Sequence, residues 1–374
     1  MQELVEEKAF WLAWSQITGI GPVLLRRLEE HFGTLAAAWY ANSEALLEVE
    51  GFGSQTVGLI IEERSRLDPE QLLTTHVQEN PHFWTPANRT QYPRLLLETA
   101  SPPPVLYYRG EVQLEENQGI KPLVGIVGTR HPSDYGRRWT RKISAALARN
   151  GFTIVSGLAE GIDTEAHQAC LEAGGRTIAV LGTGVDVVYP PRNRDLYQQI
   201  LAQGLVLSEF PAKTSPDRSH FPRRNRIIAG ISRAVLVMEA PTKSGALITA
   251  RFANEFNRDV YVLPGSLDNE RSLGCLGLIS KGAAIILGEG HLLEMLGAIP
   301  QLDPVKTPQE EQLPLPNLSP ELQQVLNAIA SESIPFDLIV QQTGYSTGTV
   351  ASALLQLELM GLVSQLPGMR YQRC

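Results

Sequence analysis

The chain predicts a doubly wound α/β fold, with a helical segment ahead of it and a winged helix-turn-helix behind it. Three observations carry that reading. Apolar runs alternate with helical stretches over roughly 110–290, glycine and polar residues recur where the runs end, and Pro-rich passages bracket the region. The runs at 123–127, 153–156, 177–181, 205–209, 234–239, 259–263 and 284–287 are near-continuously apolar, as strands buried on both faces of a parallel sheet require. Helical connectors such as 137–150 and 163–173 separate them, which gives the strand–helix alternation of a doubly wound sheet.

The first part reads as short helices with two similar joints, "ITGIGPVLLRRL" from Ile17 and "VEGFGSQTVGLI" from Val49. Each sets a Gly-x-Gly turn between apolar helical stretches, the pattern of a helix-hairpin-helix that exposes N–H groups to a phosphate. A helical bundle that uses glycine only to turn corners reads the same way, and Arg26 and Arg27 tilt the balance toward DNA. The passage "ASPPPVLYYRG" (100–110) marks the change of character. A second Pro-rich stretch, 300–320, has the composition of an extended linker. Beyond it come helices at 321–330 and 335–343, a third helix capped near Ser346, and two short strands around Pro367-Gly368. That recognition helix holds no Lys or Arg, so protein contact or a structural role suits the unit better than DNA reading. The domain expectation is 1–75 helical, 76–298 α/β, 299–318 linker and 319–374 winged helix.

At 374 residues, 43% hydrophobic and 19% charged, the chain has material for two or three domains and is not globally disordered. Its net charge of −8 excludes a protein that coats nucleic acid over its whole surface, yet leaves room for one basic groove. Cys170, Cys275 and Cys374 form no CxxC pair, so neither zinc nor a disulfide framework is expected. The acidic N-terminus and the lack of a long apolar run point to a cytoplasmic protein without a membrane span.

Glycine-bearing turns at the predicted strand ends, "GTR" (128–130), "SGLAEGID" (156–163), "GTGVD" (182–186) and "TKSGALITA" (242–250), are where an open sheet binds ligands. None spells a dinucleotide fingerprint or a Walker A loop, so no cofactor is expected. His167 reads as a packing or capping residue and Asp163 as a helix cap, and no catalytic residue or metal ligand is assigned. Between residues 213 and 233 stand Lys213, Arg218, Arg223, Arg224, Arg226 and Arg233 against one acid, Asp217. A second cluster, Arg130, Arg137, Arg138, Arg141 and Lys142, follows the first strand. Gathered at one sheet edge they would grip phosphate, with Phe221 offering a face to a base. Salt bridges to Glu160, Glu165 or Glu255 are the structural alternative.

The ordered series "GIVGTRHPSDYG", "IVSGLAEGIDTEAH", "TIAVLGTGVDVVYPPRN", "LVLSEFP", "HFPRRNRIIAGIS", "EAPTKSGALITARFANEFNRDVYVLPG" and "LISKGA" resembles the DNA-processing protein A (DprA/Smf) family over most of 90–290. The resemblance implies an extended Rossmann-like fold, with an N-terminal helix-hairpin-helix-like (SAM-like) domain and a C-terminal winged helix. It implies a non-catalytic protein that binds and protects single-stranded DNA in natural transformation, helps load the RecA recombinase and forms a homodimer through the α/β domain. Carried over by motif, the DNA-binding residues are Gly128, Arg130, Gly157, Gly182, Arg218, Phe221, Arg223, Arg226, Lys243, Ser244 and Gly245. Ile227 and Ile228 are expected in the core, and Arg224 in a surface salt bridge. The chain departs from the family pattern at Leu276, where members often carry Asn. Two other readings stand beside this one. A nucleotide phosphoribohydrolase would want an acid where Leu247 to Thr249 stand, and a protein-interaction scaffold would bind single strands no better than any polyanion.

Overall fold

The computed structural model describes residues 2–297, 319–329, 334–359, 362–366 and 369–373. They fall into two compact units, one within 1–305 and one within 306–374. The expected linker at 299–318 and the Pro367-Gly368 turn lie outside the described residues.

Six helices open the first unit: α1 (Gln2–Gln16), α2 (Pro22–Phe32), α3 (Leu35–Tyr40), α4 (Ser43–Leu47), α5 (Ser54–Arg64) and α6 (Pro69–Glu79). Trp14, Leu25, Leu28, Leu35 and Ile60 are buried in their shared core. Both predicted joints are present. Gly19 and Gly51 take φ of +81° and +90°, a left-handed conformation that glycine adopts without steric cost, and Gly21 and Gly53 cap α2 and α5. The side chains beside the first joint pair within the bundle, while the first N–H groups of α2 and α5 receive no side-chain cap. The Thr18 N–H donates to Glu63 Oε2 at 2.7 Å, which holds the Glu63 carboxyl below its usual range. Arg26 pairs with Glu30, while Arg27 pairs with Glu50 and donates to its carbonyl. Arg26 and Arg27 are thus held by carboxylates of the bundle itself.

The chain then enters a sheet of nine strands, β1 (Phe83–Trp84), β2 (Leu106–Gly110), β3 (Leu123–Val127), β4 (Thr153–Ser156), β5 (Thr177–Leu181), β6 (Leu205–Ser208), β7 (Ala234–Val237), β8 (Asp259–Val262) and β9 (Ala284–Ile285). Their order is β1-β2-β6-β5-β4-β3-β7-β8-β9, parallel from β6 to β9, with β1 and β2 antiparallel at one edge. The seven expected strands are all present, some ending one or two residues early. The sheet nevertheless begins well before residue 110. The end of the Pro-rich passage is itself strand β2, and Leu12 of α1 packs with Phe83, Val105 and Tyr107. The change at residue 75 is thus one of periodicity, inside a single compact unit.

Helices α7 (Arg94–Leu97), α8 (Leu114–Asn117), α9 (Asp134–Arg149), α10 (Ile162–Glu172), α11 (Arg194–Gln203), α12 (His220–Ile231), α13 (Ala246–Glu255), α14 (Leu273–Ile279) and α15 (Glu289–Gly297) complete the unit. Ile227, Ile228, Ala250 and Cys275 from α12, α13 and α14 cover one face of the sheet; Ile143, Ile162, Ala166 and Leu292 from α9, α10 and α15 cover the other. Burial on both faces is why the strand runs are continuously apolar. Because β3 is flanked by β4 on one side and β7 on the other, the direction of winding reverses there. At such a switch point the adjoining loops diverge and leave a crevice at the carboxyl ends.

In the second unit, α16 (Pro320–Ala328), α17 (Phe336–Thr343) and α18 (Thr347–Leu359) enclose Val325, Ile339, Val350, Leu354 and Leu357. Strands β10 (Ile334–Pro335), β11 (Val363–Leu366) and β12 (Arg370–Arg373) pair in the order β10-β12-β11. The sequence pattern does not announce β10, a two-residue strand directly ahead of α17.

At the amino edge of the large sheet, away from the crevice, Arg176 is buried against Glu116 at 2.9 Å. Its guanidinium also reaches the carbonyls of Glu111 and Gln203, and Glu116 accepts the Thr153 hydroxyl. One ion pair thus ties the starts of β4, β5 and β6 to the end of β2. Removing Arg176 would leave the buried Glu116 carboxylate with only the longer Lys121 contact, at 3.9 Å, to compensate it. Arg176→Met is expected to destabilise the protein by roughly 3–5 kcal/mol in urea unfolding, whereas Arg149→Met, at an exposed position, should stay within about 0.5 kcal/mol of wild type.

Candidate nucleic-acid interface

The crevice beside β3 is a cavity of about 680 Å³. Five segments build it: 127–131 at the end of β3, Ala159 and Asp163 after β4, Tyr189 after β5, Arg218 with one face of α12, and 241–249 leading into α13. The helical period of α12 selects its contribution. Phe221, Arg224, Asn225 and Ile228 are spaced i, i+3, i+4 and i+7 and all line the cavity. Arg223 and Arg226 turn to another face, where both pair with Glu209, at 3.2 and 2.6 Å. Arg226 is buried there and also donates to the Ser101 carbonyl. Arg223 is exposed and lies over the Phe210 ring.

Arg130 is exposed on a loop with a well-fixed backbone. The Thr129 N–H donates to the Glu239 carbonyl at 2.7 Å, and the Thr129 carbonyl accepts from Ile162 at the start of α10. Glu239 is buried, and its carboxylate takes the N–H and hydroxyl of Ser133, whose hydroxyl in turn caps α9. Arg130 lies 5.8 Å from the Phe221 ring centroid, and Tyr189 flanks the same ring at 5.6 Å. Neither Arg130 nor Arg218, both lining the cavity, has a carboxylate partner among the described residues. Most of the remaining cations of the two predicted clusters are engaged: Arg141 pairs with Glu165 and Glu172, Lys142 with Glu289 and Lys213 with Glu79. Ser244 and Gly245 line the cavity at the start of α13, with Asn225 donating to the Gly245 carbonyl. Lys243 is exposed beside them.

Arg224 is not at the surface. Its side chain is buried, and one guanidinium nitrogen donates to the carbonyls of Gly157 and Val180. On the other side of the Gly157 peptide, the N–H donates to Asp163 Oδ2 at 3.0 Å. The two charges therefore hold one peptide unit between them. Burial lowers the Arg224 guanidinium to about 10, against the restoring charge of Asp163; burial likewise raises the Asp163 carboxyl, against Arg224 and the N–H groups of Gly157 and Ala159. Asp163 thus does not cap α10, as the sequence implies; its carboxylate reaches back to the β4 turn. Nor does Arg224 form the expected surface salt bridge, because the i+3 spacing from Phe221 turns it inward.

The predicted glycines have internal reasons to be glycine. A Cβ on Gly157 would come within 2.5 Å of the Arg224 guanidinium, one on Gly182 within 2.8 Å of the Phe221 ring, and one on Gly128 within 2.5 Å of Ile162. The close approach they permit is to the protein's own side chains. Arg224, Tyr189 and Asn225 were not assigned to the site from sequence, although helical spacing from Phe221 marks Arg224 and Asn225. At the departure from the family pattern, Leu276 is half-buried, and two residues earlier the Gly274 N–H donates to the Ala240 carbonyl.

No group of three or more His, Cys, Asp or Glu suited to a metal occurs among the described residues. Cys170 and Cys275 are buried free thiols, pushed by burial up to about 12. Among the described residues no helix is long and apolar enough to cross a membrane.

The fold and crevice define a Rossmann-like α/β protein whose switch point offers exposed guanidinium groups beside aromatic faces, flanked in sequence by helical hairpins and a winged helix. The family model described as DNA recombination-mediator protein A matches residues 83–297, with a DprA winged helix domain matched at 309–369 and a SAM-like helix-hairpin-helix tandem at 15–66. The chain belongs to the DNA recombination-mediator protein A family. It is 55% identical to Protein Smf of Synechocystis sp., over 98% of this chain and 99% of that one. The X-ray structure of DNA processing protein A from Streptococcus pneumoniae is similar over 77% of this chain and 97% of its own, with 36% identity and a TM-score of 0.66. That of the Helicobacter pylori protein, described by its single-stranded DNA binding mode, covers 55% of this chain and 92% of its own, with 32% identity and a TM-score of 0.50.

His167, fully buried on α10, is held neutral by its surroundings. Its Nδ1 meets Thr177 Oγ1 at 2.7 Å, and burial lowers its imidazole from 6.5 to about 3. The unfolded chain therefore binds the proton first, so this stabilising contribution is complete above pH 6.5 and is lost as pH falls toward 3. Thermal melts across that range should show a shallower acid-side decline for His167→Gln than for wild type, with equal slopes at neutral pH.

Proposed function

We propose that this protein binds single-stranded DNA at the switch-point crevice without transforming it chemically. The observation that carries the reading is the placement of Arg130 and Arg218, without carboxylate partners among the described residues, around the half-buried ring of Phe221. Guanidinium groups grip phosphate in two-point fashion, and an aromatic face accepts any unpaired base. Ser244, Gly245 and Lys243 at the start of α13 extend the phosphate-binding surface beyond Gly128. Gly157 and Gly182 act by admitting Arg224 and Phe221. Arg223 borders a strand passing along α12, and Arg226 acts through Glu209, which it shares with Arg223. The Helicobacter pylori relative's single-stranded DNA binding mode supports the same ligand here.

The protein's role, in this reading, is to protect incoming single strands in natural transformation and homologous recombination, and to help load RecA onto them. It acts as a homodimer in the cytoplasm, where those partners are met. Catalysis is not assigned. Asp163 is the carboxylate that lines the crevice, and it is occupied by the Gly157 N–H and the field of Arg224. Release of ribose phosphate from nucleoside monophosphates by the purified protein would overturn this part of the reading.

Titration of fluorescent single-stranded and duplex oligonucleotides tests the binding site. Wild type should prefer single strands irrespective of sequence. Arg130→Ala should weaken binding about tenfold or more, as removal of a charge-assisted hydrogen bond does. Loss of one stacked base should cost Phe221→Ala about 1–3 kcal/mol of binding. Equal binding of both DNA forms, or unchanged affinity in both variants, would rule out the crevice.

A further inference from the structure

Arg130 and His131 also line a second cavity, of about 460 Å³. The character of that space differs from the crevice. Arg137, Arg192 and Arg271 line it with His131, and no aromatic ring of Phe, Tyr or Trp is among its walls. One acid lines it, Glu165, and Arg141 already neutralises that carboxylate at 3.2 Å. Arg192 pairs with Glu160, and Arg271 donates to the His131 carbonyl at 2.8 Å. Arg137 is exposed and has no carboxylate partner among the described residues. A space with four arginines and no stacking surface suits the charged backbone of a strand and not its bases.

We propose that this arginine-lined cavity is a phosphate subsite that continues the single-strand path beyond the base-binding crevice, with Arg130 shared between the two. The proposal rests on the reading of the crevice as a single-strand site. A nucleotide whose base lies against Phe221 has its phosphate at Arg130, and the next phosphates on one side fall among Arg137, Arg192 and Arg271. The two cavities divide the work: the crevice discriminates unpaired from paired bases, while the second cavity adds affinity only to strands long enough to reach it.

The test compares a thymidine oligonucleotide of about four nucleotides with one of about fifteen, a range that spans the single-strand sites of small binding domains. Wild type and the Arg137→Ala/Arg192→Ala variant are titrated at several salt concentrations, with thermal melts to confirm folding. The variant should bind the short strand within about twofold of wild type and the long strand about tenfold more weakly. Its slope of log affinity against log salt for the long strand should be shallower by about 0.7 for each phosphate that the protein no longer neutralises. Equal affinity of the folded variant and wild type for the long strand, with Arg130→Ala weak on both strands, overturns the subsite and leaves the crevice reading intact. No effect of Arg130→Ala on either strand overturns both.

Discussion

The crevice depends on one peptide unit. The N–H of Gly157 is taken by the Asp163 carboxylate and its carbonyl by the Arg224 guanidinium, so two buried, opposite charges grip the β4 turn from both sides. Each charge alone would be costly to bury, and each lies in the field of the other. The arrangement fixes three elements at once: the turn after β4, the first turn of α10 that carries Asp163, and the α12 face that carries Arg224. Phe221 stands one turn before Arg224 on that face, so the grip that fixes the peptide also aims the ring.

Two sets of arginines follow from this. Arg224, Arg226 and Arg176 are buried and consumed by carbonyls and carboxylates of the fold. Arg130 and Arg218 are exposed and line the open crevice. The acidic balance of the chain and the basic stretch at 213–233 are compatible because Lys213, Arg223 and Arg226 are paired with carboxylates and Arg224 is spent on carbonyls of the fold.

Much of the architecture was legible in the sequence because a strand buried on both faces must be apolar throughout, and seven such runs stand out. The edge pair β1 and β2 was not legible: a two-residue strand has no period, and β2 follows directly on a proline run that reads as a boundary. Arg130, Phe221 and Ser244 could be placed at the sheet edge from their motifs. The arginines of α12 could not be sorted by type alone, since Arg223, Arg224 and Arg226 differ only in angular position around a helix. Once "HFPRRNRIIAG" is read as a helix, the 3.6-residue period separates Arg224, on the Phe221 face, from the two that meet Glu209. The glycines were ambiguous for a related reason. A missing Cβ signals close approach without saying by what, and here Arg224, Phe221 and Ile162 fill the space.

The packing of Leu12 against Phe83, Val105 and Tyr107 also bears on how the molecule can be divided. Families of modular proteins invite truncation at the point where one sequence pattern gives way to another, here near residue 75. That cut would run through a shared apolar layer and uncover the antiparallel edge of the sheet, leaving Phe83 and Tyr107 facing water. The helical segment is therefore a lid on the sheet's edge as much as a module in its own right. A fragment that begins after it would carry that apolar face as an exposed patch, an aggregation liability.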